Sequence, residues 1–568
     1  MTDSANPVGL ARGVTNYGDR DFALYLRRSM AKSMGFSGEM LKRPVIGIAN
    51  TASSINNCHR HFPELLEAVK RGVIAAGGLP LDFPTISLGE VFLHPTSMVY
   101  RNLMAMDTEE MILAQPIDAV VLMGGCDKTI PAQLMGAASA DVPAVSLIGG
   151  PMMTSRYHGE RLGACTDCRR FWAQYRAGKV SGEEIEQIEG NLATTAGTCA
   201  VMGTASTMAC LVEALGMALP GTAAIPAVHA DRLRAAEASG QAAVRLCRHP
   251  IRPSQVITAK SVDNALRVLL AIGGSTNGII HLTAIAGRLG IPLPLSRLNE
   301  LSATTPVLAA LKPTGQYYME DLFAAGGLGA ALRELKPLLH LDAMTVTGET
   351  LGERLANEPQ GYVDRAVIHA ADDPIEPQGG LVALFGSLAP RGAIIKRSAA
   401  DKTLFEREGR AVVFSSLEDL AARIDAADLD VNADDFLVLQ NAGPKSPSGM
   451  PEAGYLPLPA KLARAGVKDM VRISDARMSG TAFGTVILHV SPDAASGGPL
   501  ALVRNGDRIR LSVADKRLDL LVADDELARR RQAMPPPSQP VPARGYKKLY
   551  YDQVLQADEG CDFAFLKG

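Results

Sequence analysis

Short apolar segments that alternate with helix-length segments are the feature that most restricts how the first two-thirds of this chain can fold. Residues 44–49, 85–88, 119–123 and 144–148 are rich in β-branched and aliphatic side chains, and each is predicted to be a buried strand. Residues 63–76 have the spacing of an amphipathic helix. Buried strands in alternation with helices are typical of a parallel, doubly wound α/β sheet. Ligands of such sheets bind beyond the carboxyl ends of the strands, so functional residues are expected there.

The pattern changes after about residue 370, where residues 371–377 (Ala-Asp-Asp-Pro-Ile-Glu-Pro) are predicted to form a linker. Short β-rich segments follow, with few helices between them, at 381–384, 411–414, 436–439, 470–473 and 485–490. We therefore predict an α/β domain over residues 1–370 and a β-barrel-like domain over residues 371–568. The proline-rich residues 534–540 are predicted to be a stiff linker, and a C-terminal tail begins at about residue 541.

Charge and composition argue against several classes of function. A net charge of −3 and an isoelectric point near 6.4 argue against nucleic acid or an anionic membrane surface as a partner. No apolar run approaches the about 20 residues that span a bilayer. The first four residues, Met-Thr-Asp-Ser, lack the basic-then-apolar pattern of a secretory signal. We expect a cytoplasmic protein with neither a nucleic-acid nor a membrane partner.

Three of the eight cysteines lie in segments that carry other ligand-type residues. Cys58 is in Asn-Asn-Cys-His, Cys126 is in Gly-Gly-Cys-Asp-Lys, and Cys199 is in Gly-Thr-Cys. Four thiolates complete a structural zinc site or an electron-transfer cluster, whereas three leave one metal position open for a substrate. Asp127 and Lys128 directly follow Cys126, so a hard-cation site is expected beside a soft-metal site. This combination predicts Lewis-acid chemistry on an oxygen-rich substrate.

Several other segments carry weaker signals when each is taken alone. Cys165 and Cys168 form one CxxC, which is compatible with a redox pair or half a zinc site, although a structural role is favoured. Glu90, after a predicted strand, and Glu452, on a proline-bounded loop, are individually more typical of surface carboxylates. Ser479 follows an arginine by two positions, and it would be a base if a nearby cation lowered its pKa, but alone it is more typical of a turn.

Two segments of the first domain that are rich in small residues each allow two interpretations. Residues 273–277 (Gly-Gly-Ser-Thr-Asn) resemble an anion-binding turn at the start of a helix, with equal support for an ordinary turn. Residues 197–207 are rich in Gly, Ala, Ser and Thr, which would let the backbone approach a cluster closely. The alternative is a tightly packed helix start.

Taken together, these segments resemble the dihydroxy-acid and sugar-acid dehydratase family. The resemblance runs from about Gly18 to the C-terminus. Its most specific parts, in family order, are 125–128 (Gly-Cys-Asp-Lys), 197–199 (Gly-Thr-Cys), 449–452 (Gly-Met-Pro-Glu) and 474–480 (Ser-Asp-Ala-Arg-Met-Ser-Gly). The resemblance implies an α/β N-terminal domain, a β-barrel-like C-terminal domain and an active site between them. It also implies a homodimer or a homotetramer built as a dimer of dimers.

The family pattern implies which residues hold an iron–sulfur cluster and which one is the base. Cys58, Cys126 and Cys199 would hold the cluster, for which [2Fe–2S] is preferred and [4Fe–4S] is the alternative. Ser479 would be the base that removes the C2 proton of the substrate.

The same pattern implies a Mg²⁺ site next to the cluster. Glu90, Asp127 and Glu452 would bind the ion, and Lys128 would complete the site as a carbamate. This modification is chemically reasonable because an ammonium cannot ligate a cation, whereas a carbamate is an anionic oxygen donor.

The expected reaction is the dehydration of a 2,3-dihydroxy carboxylate to a 2-keto-3-deoxy acid. Residues 165–170 and 556–566 look like those of pentonate dehydratases, which favours a sugar acid such as L-arabinonate or D-xylonate. The alternative within the family is the branched-chain conversion of 2,3-dihydroxyisovalerate to 2-ketoisovalerate. A more remote alternative, an electron-transfer or sensor iron–sulfur protein, would give no role to the carboxylates.

Overall fold

The computed structural model describes residues 8–359, 361–534 and 542–568. The first four residues, and residues 535–540 of the predicted proline-rich linker, lie outside this range. In the part of the chain that the structure describes, no helix is both long and apolar enough to cross a membrane.

The N-terminal part is built on a four-stranded parallel sheet in the order β2-β1-β3-β4. These strands are β1 (Val45–Asn50), β2 (Leu79–Pro84), β3 (Ala119–Gly124) and β4 (Ala144–Ile148), and a small hairpin follows as β5 (Ser155–Tyr157) and β6 (Glu160–Leu162). The helices of this part are α1 (Arg20–Ser33), α2 (Phe62–Ala75), α3 (Ser97–Ala114), α4 (Thr129–Ala140), α5 (Cys165–Arg176), α6 (Gly182–Glu189), α7 (Thr204–Ala214), α8 (Ala230–Arg248), α9 (Pro253–Val256), α10 (Ala259–Ala271), α11 (Asn277–Gly287), α12 (Leu295–Ser302), α13 (Met319–Ala324), α14 (Gly327–Glu334) and α15 (Leu351–Asn357).

Helices cover both faces of this sheet. Because crossovers between parallel strands are right-handed, the connection from β1 to β2 places α2 on one face, and the connections onward to β3 and β4 place α3 and α4 on the other. The packing agrees, since α2 packs on α8 whereas α3 packs on α4. Strands β1, β3 and β4 are almost entirely buried, as expected for strands covered on both faces. The predicted doubly wound α/β sheet is confirmed.

One predicted strand is wrong. Residues 85–88 are not a strand, and the chain instead forms β2 at Leu79–Pro84, which pairs in parallel with β1 from Val45 opposite Leu79. Pro80 and Pro84 made this segment look unlike a strand. Because β2 is at the edge of the sheet and pairs on one side only, it tolerates residues without an N–H donor.

The C-terminal part is built on an eight-stranded mixed sheet in the order β14-β13-β9-β10-β11-β12-β8-β7. The strands are β7 (Val382–Leu384), β8 (Gly392–Ile395), β9 (Glu406–Phe414), β10 (Phe436–Leu439), β11 (Arg472–Ser474), β12 (Val486–Ser491), β13 (Arg508–Ser512) and β14 (Arg517–Leu520). The helices are α16 (Leu417–Arg423), α17 (Ala460–Arg464), α18 (Asp524–Gln532) and α19 (Gly545–Gln553).

The two ends of this sheet meet and give it the shape of a barrel. Phe385, next to β7, bridges Arg517 in β14, and its backbone N–H donates to the carbonyl of Lys516 at 2.9 Å. The N–H of Leu518 donates back to the carbonyl of Phe385 at 2.9 Å. These hydrogen bonds pair the edge strands with each other, which removes exposed sheet edges. The predicted barrel-like C-terminal fold is confirmed.

The C-terminal tail folds back onto the N-terminal part. Tyr550 and Phe563 are fully buried against Met98 and Ile280, which belong to α3 and α11. Arg101 of α3 is also fully buried, and its guanidinium donates to the carbonyl oxygens of residues 560 and 561 at 2.7 and 2.9 Å. The tail therefore closes one side of the contact between the two halves of the chain.

Candidate active site

The loops after β1 and β3 bring Cys58 and Cys126 together at the carboxyl ends of the parallel strands. Cys58 lies in a single 3-10 turn, Asn57–His59, and the side-chain oxygen of Asn56 accepts its backbone N–H at 3.2 Å. Cys126 follows β3 by two residues, and its backbone N–H donates to Nε2 of His59 at 2.9 Å. Nδ1 of His59 donates to the carbonyl of Thr51 at 2.8 Å.

His59 is held in one orientation and in its neutral form. Its ring stacks on Phe62 with the ring centroids 4.2 Å apart. Burial lowers the pKa of His59 to about 4, against a weaker opposing effect of the hydrogen bond to Thr51. A neutral ring protonated on Nδ1 is the form that accepts from the Cys126 amide, so His59 fixes where this cysteine points.

Cys199 reaches the same region from the loop before α7. This loop runs close to the chain at Pro151, because the N–H of Met152 donates to the carbonyl of Thr198 at 2.8 Å. Gly197 has a φ of +113°, and a Cβ there would lie 2.7 Å from Ala227 Cβ and from the backbone of Met152. Only glycine fits this approach to the neighbouring chain, and the predicted approach of the backbone to a cluster stays a prediction.

The thiols lie in two neighbouring pairs. Contact with Cys58, followed by burial, raises the pKa of the Cys126 thiol. Contact with Cys165, followed by burial, raises the pKa of the Cys199 thiol, and the charge of Cys58 adds a smaller effect. The Sγ atom of Cys199 lies 3.0 Å from that of Cys165. A raised pKa keeps these thiols largely protonated, and a thiol that binds a metal loses its proton. The donor set therefore suits a soft metal centre.

The carboxylates Glu90 and Glu452, from the two halves of the chain, converge on one arginine. The fully buried guanidinium of Arg477 lies 2.7 Å from Glu90 and 2.6 Å from Glu452. Although burial opposes ionisation, the charges of Arg477 and Lys128 lower the pKa of Glu90 to about 2. Burial raises the pKa of Glu452, and so do the negative charges of Glu90 and Asp127. Asp127 and Lys128 form a buried ion pair beside this group.

Ser479 lies on a loop after β11 whose backbone is held by three side chains from elsewhere. The carbonyl of Met478 accepts from Asn277 at 3.0 Å, and that of Thr481 accepts from the hydroxyl of Thr166 at 3.0 Å. The carbonyl of Gly480 accepts from the fully buried ammonium of Lys396 at 3.4 Å, and burial lowers the pKa of this lysine to about 7.

The hydroxyl of Ser479 lies 2.8 Å from that of Thr481, and the chain packs very closely next to it. A Cβ on Gly480 would lie 2.7 Å from Ser275 Cβ and 2.8 Å from the backbone nitrogen of Thr204. Ser275 belongs to the glycine-rich turn at 273–277, whose Asn277 also holds the serine loop. In this structure that turn is a docking point for the C-terminal half, and the predicted alternative of an anion-binding turn stays a prediction.

The structure places the predicted thiols, Cys58, Cys126 and Cys199, in one group and the predicted carboxylates, Glu90, Asp127 and Glu452, in another, with Lys128 paired to Asp127. The side chain of Ser479 contacts the hydroxyl of Thr481. Both Glu452 and Asp127 act electrostatically on Cys165, which shows that the two groups adjoin. Within the described residues, no three His, Cys, Asp or Glu side chains form a ready-made metal site. The thiols are paired with each other, and Glu90 and Glu452 are paired with Arg477.

Sequence reasoning missed several residues of this site. Arg477 lies within the segment that carries the resemblance, but its partner Glu90 is 387 residues away, so nothing local identified the pair. His59 directly follows Cys58, and this adjacency was its only signal. Cys165 was expected to be structural, whereas the structure places it beside Cys199. No local signal pointed to Lys396.

A separate surface cavity of about 880 Å³ lies away from these residues. It is lined by side chains from the segment after α1, from α2 and from the edge strand β2, among them Met34, Ile74 and Phe83. None of the thiols or carboxylates described above borders it, so the chemistry is assigned to the loops between the two halves of the chain.

Two family models match the chain. Residues 43–354 match the dihydroxy-acid/6-phosphogluconate dehydratase N-terminal domain, and residues 366–561 match the C-terminal domain of the same family. An L-arabonate dehydratase of Azospirillum brasilense is 48% identical over 97% of this chain and 96% of its own length. A 6-deoxy-6-sulfo-D-gluconate dehydratase of Pseudomonas putida is 47% identical over 93% and 91%, and a dihydroxy-acid dehydratase of Syntrophobacter fumaroxidans is 40% identical over 94% and 96%. The chain therefore belongs to the dihydroxy-acid/6-phosphogluconate dehydratase family, and it is a hydro-lyase.

Proposed function

We propose that this protein dehydrates a non-phosphorylated sugar acid, such as L-arabinonate or D-xylonate, to the corresponding 2-keto-3-deoxy acid. The observation that carries this proposal is the docking of the Ser479 loop against the loops that hold the thiols and carboxylates. The relatives named for sugar acids are more similar to this chain than the one named for dihydroxy acids, at 47–48% against 40% identity. This difference supports a sugar acid over 2,3-dihydroxyisovalerate.

The residues present fit an iron–sulfur cluster. Cys58, Cys126 and Cys199 would hold it, as [2Fe–2S] or alternatively [4Fe–4S], because Cys58 acts on the thiols of both Cys126 and Cys199 and therefore lies near both. His59 would orient one of these ligands through the Cys126 amide.

The carboxylates fit a divalent cation once Lys128 is modified. Three carboxylates, from Glu90, Asp127 and Glu452, face the two cations Arg477 and Lys128, which leaves one net negative charge. A carbamate on Lys128 would replace a positive charge with a negative one. The resulting three net negative charges suit Mg²⁺ bound through oxygen atoms.

The bound groups would act as Lewis acids, with Mg²⁺ at the substrate carboxylate and C2 hydroxyl and the cluster at the departing C3 hydroxyl. The protein supplies the proton transfer. Ser479, as the alkoxide, removes the C2 proton, and Thr481, 2.8 Å away, orients its oxygen. The C3 hydroxyl leaves as water with the proton that Ser479 took from C2, which restores the alkoxide, and the resulting enol tautomerises to the 2-keto acid. Electrons are not exchanged with any other molecule.

We also propose that the protein assembles as a homodimer or a dimer of dimers. Helix α1 supports this, because its large apolar side chains are exposed, with Tyr25 at 66% and Met30 at 60%. Light scattering after size-exclusion chromatography measures the mass directly, and a monomer would contradict the proposal.

The test of function is 2-oxo acid formation by anaerobically purified protein with Mg²⁺, across a panel of aldonic acids and 2,3-dihydroxyisovalerate. We expect turnover of pentonates, and turnover of dihydroxyisovalerate alone would assign the branched-chain reaction instead. Ser479→Ala should keep the cluster absorbance and lose turnover. Ser415→Ala, which alters an exposed serine of the same barrel, is the matched control and should keep turnover.

A further inference from the structure

Cys165 and Cys168, the CxxC pair, have no part in the proposed reaction, yet one of them lies against a cluster cysteine. The Sγ atom of Cys165 lies 3.0 Å from that of Cys199. A disulfide bond is about 2.05 Å long, so a small rotation of either side chain would bring the two sulfurs to bonding distance. Both side chains are partly exposed, so a small molecule reaches them.

Separate contacts fix the positions of Cys165 and Cys199. Cys165 begins α5, and its neighbour Asp167 is buried and accepts from the N–H of Gly163 at 2.8 Å. The ammonium of Lys312 and the hydroxyl of Tyr318 each lie 3.2 Å from the carboxylate of Asp167. On the other side, the absence of a side chain at residue 197 lets the Cys199 loop lie against the chain at Pro151. The fold therefore positions the two sulfur atoms next to each other.

Cys168 connects this pair to solvent. It lies one turn further along α5, and residues three apart share one face of a helix. Its side chain is exposed, whereas Cys165 and Cys199 are only partly so. The three thiols therefore form a series from solvent to the cluster site, which we call the thiol relay.

We propose that the thiol relay protects Cys199 in the cluster-free enzyme by converting it reversibly to a Cys165–Cys199 disulfide. The oxidant would be a low-molecular-weight disulfide such as glutathione disulfide. This inference rests on the proposed function only in that Cys199 is taken to be a cluster ligand. The protected sulfur cannot advance to sulfinic or sulfonic acid, and reduction returns it ready to bind a cluster.

The exchange steps balance without any other reactant. Cys168 attacks the small disulfide and forms a mixed disulfide, which releases one small thiol. Cys165 displaces the second small thiol and forms Cys165–Cys168, and Cys199 then attacks the sulfur of Cys165 and releases Cys168. Overall, two protein thiols lose two electrons and two protons, which appear on the two small thiols released. Excess reduced thiol runs the same steps backwards.

The experiment uses the full-length cluster-free protein, incubated anaerobically in glutathione buffers of increasing oxidised fraction. Free thiols are then blocked with N-ethylmaleimide, and peptides are mapped by mass spectrometry. We expect a Cys165–Cys199 cross-link that disappears when excess glutathione is added. Cys165→Ser should lose the cross-link, leaving the mixed disulfide on Cys168 and Cys199 as a free thiol, and Cys168→Ser should slow formation of the cross-link. Cys247→Ser, which changes a partly buried cysteine on α8, is the control and should leave the cross-link unchanged.

A second measurement separates this proposal from the proposed function. Cluster-free protein is first equilibrated in the oxidised glutathione buffer, then exposed to peroxide, reduced and reconstituted with iron and sulfide, and its iron content is measured. Wild type should regain its iron, whereas Cys165→Ser should not, although both should bind it equally before oxidation. Absence of the cross-link, or loss of iron from Cys165→Ser before any oxidation, would overturn the relay. Neither readout depends on turnover, so a protein that formed the cross-link and dehydrated none of the acids would contradict only the proposed function.

Discussion

Replacement of Arg477 by methionine tests whether one buried guanidinium holds the two halves of the active site together. This arginine is fully buried, and its ion pairs join Glu90 in the α/β part to Glu452 in the barrel part. It also donates to the hydroxyl of Thr96 at 2.7 Å and to the carbonyl of Met450 at 2.9 Å. Methionine keeps most of the length of the side chain but leaves both carboxylates without a cation.

The size of the effect follows from the cost of an uncompensated buried charge. Removal of one partner of a buried ion pair lowers the free energy of unfolding by about 3–5 kcal/mol. At about 2–4 °C for each kcal/mol in domains of this size, the melting temperature should fall by roughly 6–20 °C. Differential scanning calorimetry in the presence of chelator measures this without a contribution from bound metal.

Two variants sharpen the interpretation. Arg477→Lys keeps the charge but not the forked geometry that reaches both carboxylates, so an intermediate loss of stability is expected. Arg297→Met removes an arginine whose side chain is 38% exposed and which pairs with Asp263 and Glu300, and it should cost no more than about 1 kcal/mol. If Arg477→Met melted as close to wild type as Arg297→Met does, the reasoning about the buried pairs would be refuted.

Three further substitutions test other parts of the site. Gly480→Ala adds a Cβ 2.7 Å from Ser275 Cβ, so it should displace the serine loop and lower kcat about 100-fold in steady-state assays; turnover near that of wild type would contradict the close packing. His59→Leu removes the acceptor of the Cys126 amide and should weaken cluster binding about tenfold or more, measured as iron per chain after limiting reconstitution. Burial lowers the pKa of His489 to about 3, so this side chain stays neutral in the folded protein while the unfolded chain gains a proton below pH 6.5. The contribution of His489 to stability is therefore largely present above that pH and falls by about 1 kcal/mol from pH 6.5 to 5.5, beside similar contributions from other buried histidines such as His59. In urea titrations His489→Asn, which suits the φ of +58° at this position, should show a fall smaller by about 1 kcal/mol than that of wild type, and an unchanged pH dependence would exclude His489 as a source.

The parts of the fold that the sequence predicted are those in which burial is continuous along the chain. Strands β1, β3 and β4 are covered on both faces and appear as uninterrupted apolar segments, so their positions were predicted within a residue or two. Strand β2 was misplaced because an edge strand needs no such pattern and accepts proline. Closure of the barrel depends on a contact between residues 385 and 517, which no local pattern encodes.

The candidate site, like the fold, has parts that the sequence predicted and parts that it did not. Cys58 and Cys126 follow strands of one parallel sheet, so topology alone predicted that they would lie close together. The approach of Cys165 to Cys199 depends on how the start of α5 is anchored after the β5–β6 hairpin. Neither the hydrophobic periodicity nor the spacing of residues in the sequence indicates this. Arg477 was missed for an electrostatic reason. The burial of a charged side chain can be understood only from the groups that pair with it. Glu90, which pairs with Arg477, lies in the other half of the chain.

The contact between the C-terminal tail and Arg101 has a consequence for the order in which the protein matures on the ribosome. The carbonyl of Cys561 that accepts from Arg101 is 460 residues further along the chain. Until that segment emerges, helix α3 carries a cation that cannot be buried with its partners, and this same helix begins with Ser97, whose hydroxyl holds Glu90. A chain interrupted before residue 561 would carry every thiol and carboxylate of the site and still leave α3 incompletely packed. The site is therefore expected to assemble only after the tail has been made, and truncated chains are expected to expose α3 to proteases.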